Sequence, residues 1–182
     1  MRPRDTAPRR SLRRVDVAIR RAGAEVLDRL RPLWLELHHH HQAVGGAALG
    51  PYVGDDASWA ARRALYAAFF AGGGFAVLAE RGDELIGYAL VAVKTSAETE
   101  LDDTWVSGRR VAEIETLSVL PAARGHGIGS ALLDRVDAEL AAEGIDDVLI
   151  AAFVTNLDAI RLYERRGFRP ASLYLIRLAG RT

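Results

Sequence analysis

An α/β fold in three layers, with helices packed on a mixed antiparallel and parallel sheet, is predicted by three observations. A hairpin signal lies at mid-chain, where Phe75–Glu80 and Glu84–Val93 flank the turn Arg81-Gly82-Asp83. Later, Val111–Val119, Ile128–Glu143 and Val148–Val154 follow one another as strand, helix and strand. The last of these is an uninterrupted apolar run, which suits a strand covered on both faces and so a parallel neighbour. Antiparallel pairing followed by a βαβ unit requires a mixed sheet.

The elements follow in order. Val15–Ile19 reads as a short first strand. From Ala24 to Gln42, Val26, Leu27, Leu30, Leu33, Trp34 and Leu37 recur at helical spacing. Gly45, Gly46, Gly50 and Pro51 punctuate a loop. A second helix, capped by Asp56 or Ser58, runs to Phe70 and ends at Gly72–Gly74. After the hairpin, Thr95–Arg110 is polar and reads as loop. The next strand is Val111–Val119. The helix Ile128–Glu143 carries Leu132, Leu133, Val136 and Leu140 on one face. Asn156–Arg166 is a further helix with Gly167 at its C-terminal cap, and Phe168–Leu178 is expected as a closing strand.

With 182 residues the chain is long enough for one domain with a real core. Residues 1–14 hold six arginines and no apolar segment follows them, so a disordered basic leader is expected there, with a single domain over 15–182. Formal net charge is zero, which provides no overall field for nucleic acid, and only the leader offers a basic face. No apolar stretch is long enough for a membrane span. Cysteine is absent, which excludes disulfides, thiolate metal sites and a cysteine nucleophile. A cytoplasmic location is expected, with no membrane or nucleic-acid partner.

The most informative stretch is Leu117-Ser118-Val119-Leu120-Pro121-Ala122-Ala123-Arg124-Gly125-His126-Gly127-Ile128-Gly129-Ser130. Its three alternating glycines stand where a strand and loop give way to a helix. Glycine lets successive amides converge on one concave site, and the helix adds its free N-terminal amides and positive dipole end. Arg124 adds a cation and Ser130 a hydroxyl, so the site suits a diphosphate. A Walker loop does not fit, because Lys94 is the only lysine. The dinucleotide fingerprint does not fit either, because Ser130 stands where its third small residue belongs.

The pattern Arg124-x-x-Gly127-x-Gly129 after Leu117-x-Val119 resembles the acetyl-CoA motif of the Gcn5-related N-acetyltransferase (GNAT) superfamily. So does the run from Asn156 to Tyr163, Gly167 and Phe168, where an Asn opens the helix and a Tyr precedes a Gly-Phe exit. The likeness is firm from Val111 to Pro170. It implies a GNAT-like three-layer fold and acetyl-CoA as co-substrate, with the backbone of Leu117, Ser118 and Val119 pairing with the pantetheine arm. It further implies that the amides of Gly125, His126, Gly127, Ile128, Gly129 and Ser130 bind the pyrophosphate, flanked by Arg124. By the same resemblance Asn156 contacts the cofactor and Tyr163 protonates the departing thiolate. Asn156 and Tyr163 lie about two helical turns apart and so point the same way. Thr155 is an equally good helix cap, which would leave Asn156 free for the cofactor.

An amine nucleophile must lose a proton. Glu113 and Glu115 precede the cofactor motif and, by strict alternation, share one face with Leu117 and Val119. Either can serve as base, attract a cationic substrate or face solvent; Glu113 matches the family's base in its histone-modifying members. The acceptor, a primary amine of a small molecule or peptide, is not specified. His38, His39, His40 and His41 form a run with no further ligand at metal spacing, so no metal is expected and acceptor-lining or solvated imidazoles are preferred. Glu98, Glu100, Asp102 and Asp103 make an acidic loop that either steers a cationic amine or is simply solvated. A second reading is a non-catalytic acetyl-CoA-binding sensor of the same fold. Monomer and homodimer both remain open.

Overall fold

The computed structural model describes residues 17–45, 51–99 and 101–178. The basic leader, Val15 and Asp16, part of the glycine-rich linker, Glu100 and the last four residues fall outside that range.

The chain begins with β1 (Val17–Ala22) and a 3-10 helix (Ala24–Leu30), which leads directly into α1 (Arg31–Gly45). The expected single helix is therefore split. Pro32 explains the break, since it lacks the N–H that would bond to the carbonyl of Asp28, and the α-helical ladder starts afresh around it. Next come α2 (Asp55–Ala71), β2 (Phe75–Arg81) and β3 (Glu84–Thr95), the strands joined by a tight turn with Gly82 at φ +59°. Then follow β4 (Arg110–Val119), α3 (Ile128–Ala142), β5 (Asp147–Ile150) and α4 (Leu157–Arg165).

The sheet order is β1-β2-β3-β4-β5. The first three pairings are antiparallel and β4 pairs with β5 in parallel, as the hairpin and βαβ signals predict. Alternation along the strands builds two cores. On one face Leu33 and Trp34 of α1 and Trp59 and Tyr66 of α2 pack on Leu78, Tyr88 and Leu90. On the other, Leu132, Leu133, Val136 and Leu140 of α3 cover Val77, Ala89, Val91 and Ile114, with Leu162, Tyr163 and Phe168 closing its rim. A mixed sheet between two helical layers is the predicted α/β architecture.

Two expectations are corrected. The apolar run Val148–Val154 pairs only as far as Ile150, because the β4–β5 ladder stops at Ile114↔Ile150. Beyond that point β4 bulges and the strands part, so Ala151–Phe153 leave the sheet. The closing strand Phe168–Leu178 has no ladder partner among the described residues, and Leu173, Leu175, Ile176 and Leu178 are exposed. Strand propensity describes how side chains suit a pleated surface, whereas a strand exists only where another edge meets it.

Candidate active site

The bulge in β4 creates the site. Leu90 pairs with Thr116 while the next residue, Val91, pairs with Ile114, so Glu115 is the extra, unpaired residue. A bulge bends its strand and strengthens the local twist. It falls one residue past the end of pairing with β5, so among the described residues the edge of β4 from Glu115 to Val119 has no strand neighbour on that side. The other edge stays bonded to β3 as far as Val119. The gap continues into a cleft of about 610 Å³ that includes Leu117, Ser118 and Val119 on one wall and Ala151–Phe153 on the other.

At the far end of this edge lies the glycine-rich loop. Gly125 and Gly127 adopt φ +76° and +80°, a region that residues with a Cβ rarely enter, and no atom lies within 4 Å of a Cβ built on either. Backbone conformation alone therefore favours glycine here. After Arg124, whose amide donates to the Pro121 carbonyl at 3.2 Å, the next amide with an acceptor is that of Ala131 in α3, which donates to the Gly127 carbonyl at 3.0 Å. The amides from Gly125 to Ser130 find no acceptor among the described residues. These six N–H groups stand at the positive end of a 15-residue helix, and their chemistry fits a diphosphate. Arg124 lines the cleft beside them, its Nε donating to the Val119 carbonyl at 2.9 Å. His126 does not line the cleft; its Nδ1 is 2.7 Å from the Arg124 carbonyl.

The third wall is α4, which brings Asn156 and Tyr163 to the same cleft. Asn156 is the helix cap, its Oδ1 accepting from the Ala159 N–H at 3.3 Å. The Thr155 hydroxyl points elsewhere and donates to the Val44 carbonyl at 2.6 Å. Of the two caps the sequence offers, Asn156 is therefore the one used, with its amide nitrogen left to face a ligand. The Tyr163 ring packs edge-on to Phe168 at 6.1 Å, while its hydroxyl makes no hydrogen bond among the described residues. Among the described residues no side-chain polar atom is both buried and unsatisfied, so that hydroxyl reaches open space in the cleft. Burial raises the phenol to about 12, so it holds its proton throughout the neutral and mildly alkaline range.

The bulge also resets which way β4 side chains face. Glu113 and Glu115 both turn to the α2 side, where Glu113 pairs with Lys94 and Glu115 with Arg62. Thr116 and Ser118 follow them there: the Thr116 hydroxyl meets that of Tyr66, and Ser118 donates to the Leu33 carbonyl at 2.9 Å. Leu117 and Val119 turn to the α3 side. The expected common face for Glu113, Glu115, Leu117 and Val119 is therefore broken after Glu115, because an extra residue inverts a period of two. Of the two carboxylates, Glu115 lines the cleft and Glu113 does not. The Arg62 guanidinium that holds Glu115 lies 4.0 Å from the Trp34 ring centroid.

The structure divides the run His38–His41. His38 is buried with Nε2 3.0 Å from the Val53 carbonyl, and His39 pairs with Asp55 at 2.9 Å. His40 and His41 line the cleft, the latter edge-on to Phe153 at 5.0 Å. Burial, with His40, Arg62 and His38 adding like charge, pushes His41 down to about 4 and keeps it neutral. Among the described residues, no three His, Asp or Glu gather to hold a metal. Of the acidic loop, Glu98 accepts from the Thr95 N–H and hydroxyl at 2.7 Å, neither Asp102 nor Asp103 lines the cleft, and Glu100 lies outside the described residues. Asp158, Arg161 and Arg165 line the cleft and were not singled out in the sequence, though their spacing along α4 puts them on one helix face.

The chain matches the acetyltransferase (GNAT) family over residues 33–168. A mycothiol acetyltransferase of Thermobispora bispora is 34% identical over 91 residues, covering 50% of this chain and 28% of that protein. The chain thus spans little more than a quarter of that relative's length. The crystal structure of a GCN5-related N-acetyltransferase from Ralstonia eutropha superposes with a TM-score of 0.69 at 23% identity, covering 91% of this chain and 100% of that one. A predicted acetyltransferase of Clostridium acetobutylicum, solved with acetyl-CoA, gives 0.66 at 19% identity, covering 90% and 96%. At such identities the structural likeness concerns the fold.

Proposed function

The chain belongs to the acetyltransferase (GNAT) family, and we propose that it moves the acetyl group of acetyl-CoA onto a primary amine of a small molecule or peptide. The observation that carries this reading is the unpaired edge of β4 running from Glu115 to the free amides of Gly125–Ser130. An extended pantetheine arm adds to such an edge as a peptide strand would, through main-chain hydrogen bonds. Its diphosphate then reaches the helix N-terminus, and the thioester lies at the bulge, close to Glu115 and within the cleft that Tyr163 lines.

The reaction proceeds in a ternary complex without a covalent enzyme intermediate. The amine lone pair attacks the thioester carbon, and the oxyanion is held by a backbone N–H near Leu117. As the C–S bond breaks, the sulfur takes the proton of the Tyr163 hydroxyl. The nitrogen gives up its extra proton to Glu115, directly or through water, while Arg62 keeps that carboxylate in place. Glu115 is preferred to Glu113 as base because it lines the cleft.

Calorimetric titration of acetyl-CoA tests the cofactor site. Micromolar binding is expected for the intact protein and at least about tenfold weaker binding for Gly127→Val, whose β-branched side chain cannot hold φ +80° without strain. Gly127→Asn, which tolerates that region, should retain most of the affinity. No binding by the intact protein would sink the acetyltransferase reading. Tight binding without thiol release from any amine in a broad panel would favour the acetyl-CoA sensor instead.

A further inference from the structure

Acetyl-CoA carries two phosphate groups of different kinds, and the loop amides described above serve only the diphosphate. The 3′-phosphate on its adenosine ribose is a monoester, close to dianionic at neutral pH. Three arginines line the cleft: Arg124, Arg161 and Arg165. Arg124 sits in the loop itself. The other two lie one turn apart on α4, which packs directly against those amides: a Cβ on Gly129 would stand 3.4 Å from Leu162 Cδ2. Arg161 adjoins Leu162 in sequence and Arg165 follows one turn, about 5.4 Å, along the same face.

Their partners distinguish these two side chains from the rest of α4. Arg166, on another face, is tied to Asp134 and to Asp137 at 2.7 Å. Arg161 reaches only Asp158, at 2.7 Å, with that carboxylate 94% exposed. Arg165 has no ion pair or hydrogen bond among the described residues. A guanidinium offers a planar fork of donors that matches phosphate oxygens. The bland role for Arg165, complementing the negative end of α4, does not account for Arg161 on the same face of the cleft, one turn earlier.

Resting on the acetyl-CoA reading, we propose that Arg165, with Arg161 beside it, forms the subsite for the 3′-phosphate of the cofactor. Binding draws Arg161 from Asp158 toward the phosphate, so Asp158 opposes the ligand by competing for Arg161 and by like charge. The consequence is discrimination: this chain distinguishes acetyl-CoA from the same thioester lacking the 3′-phosphate.

The test is a pair of titrations, with acetyl-CoA and with 3′-dephospho-acetyl-CoA. The intact protein should prefer acetyl-CoA by about tenfold, in keeping with charge-assisted bonds to an exposed phosphate. In the Arg161→Gln/Arg165→Gln variant that preference should shrink to under about twofold through loss of acetyl-CoA affinity alone. Unchanged binding of the dephospho compound then also reports an intact fold. Asp158→Asn should tighten acetyl-CoA by about two- to threefold and leave the dephospho compound unaffected. Equal affinity of the intact protein for both ligands overturns the proposal, as does a variant that weakens both equally, which would assign the arginines to the diphosphate. Both outcomes leave the acetyl-CoA reading standing, whereas failure of the intact protein to bind either ligand removes that reading and this subsite together.

Discussion

The two halves of the molecule build their parts of the cleft from different materials. From β4 to α4, the working groups are largely backbone: a strand edge freed by a bulge, amides at a helix start, and two glycines at positive φ. In the first half they are side chains brought together from distant positions, such as Arg62 on Glu115 and His41 against Phe153. Backbone devices need only a short run of sequence to exist. A side-chain constellation depends on packing that no short run contains. Glu115 belongs to both halves, since the bulge turns it out of the ladder and α2 supplies the arginine that holds it.

Four substitutions press on that contrast. The largest effect is expected of Tyr163→Phe, which keeps the ring packed on Phe168 and removes only the proton donor. Its kcat should fall by about 10²- to 10³-fold with acetyl-CoA affinity unchanged. An unaltered kcat would reduce Tyr163 to a packing residue. Because burial raises its phenol to about 12, no loss of activity between neutrality and mild alkali should trace to Tyr163.

Next in size, Glu115→Gln should lower kcat/KM by about 10- to 100-fold, whereas Glu113→Gln, outside the cleft, should change it by less than about twofold. The opposite ranking, read from initial rates of thiol release, would move the base to Glu113 and cut the link between bulge and catalysis.

The smallest effect concerns stability. His41 is held near 4 in the folded chain, against about 6.5 when unfolded. Between those values the unfolded chain binds a proton that the folded chain does not. The contribution from a neutral His41 is therefore complete above pH 6.5 and declines as pH falls toward 4. After allowing for the partly open cleft, about 1 to 2 kcal/mol is at stake. Thermal melts at pH 7 and pH 4.5 should show a smaller loss for His41→Phe than for the unaltered chain. Equal losses would mean that the imidazole titrates as if it were in water.

Much of this was legible in the residues themselves. The loop Arg124–Ser130 is legible as a tight turn into a helix because glycine at alternating positions before a helix has a direct conformational meaning, and Gly125 and Gly127 adopt positive φ there. The hairpin at Gly82, the cap at Gly167 and the faces of α3 rest on equally local rules, and all three appear in the structure. The failures share a different cause. Strict alternation misplaced Leu117 and Val119 relative to Glu113 and Glu115, because a bulge is defined by its partner strand and leaves no trace in a period of two.

The sequence by itself determined the order of elements from the hairpin to α4, the mixed sheet, the glycine-rich turn into α3 and the family, since each depends on neighbours within a few residues or on motif spacing. Only the tertiary structure decided the rest. It chose Glu115 over Glu113 as the cleft carboxylate, made Asn156 rather than Thr155 the cap, and brought His40, His41, Arg161 and Arg165 to the site. It also left Phe168–Leu178 outside the sheet. Each of these outcomes turns on where a ladder stops or what a side chain meets across the fold, and the energy of such contacts is set by geometry between residues far apart in the chain.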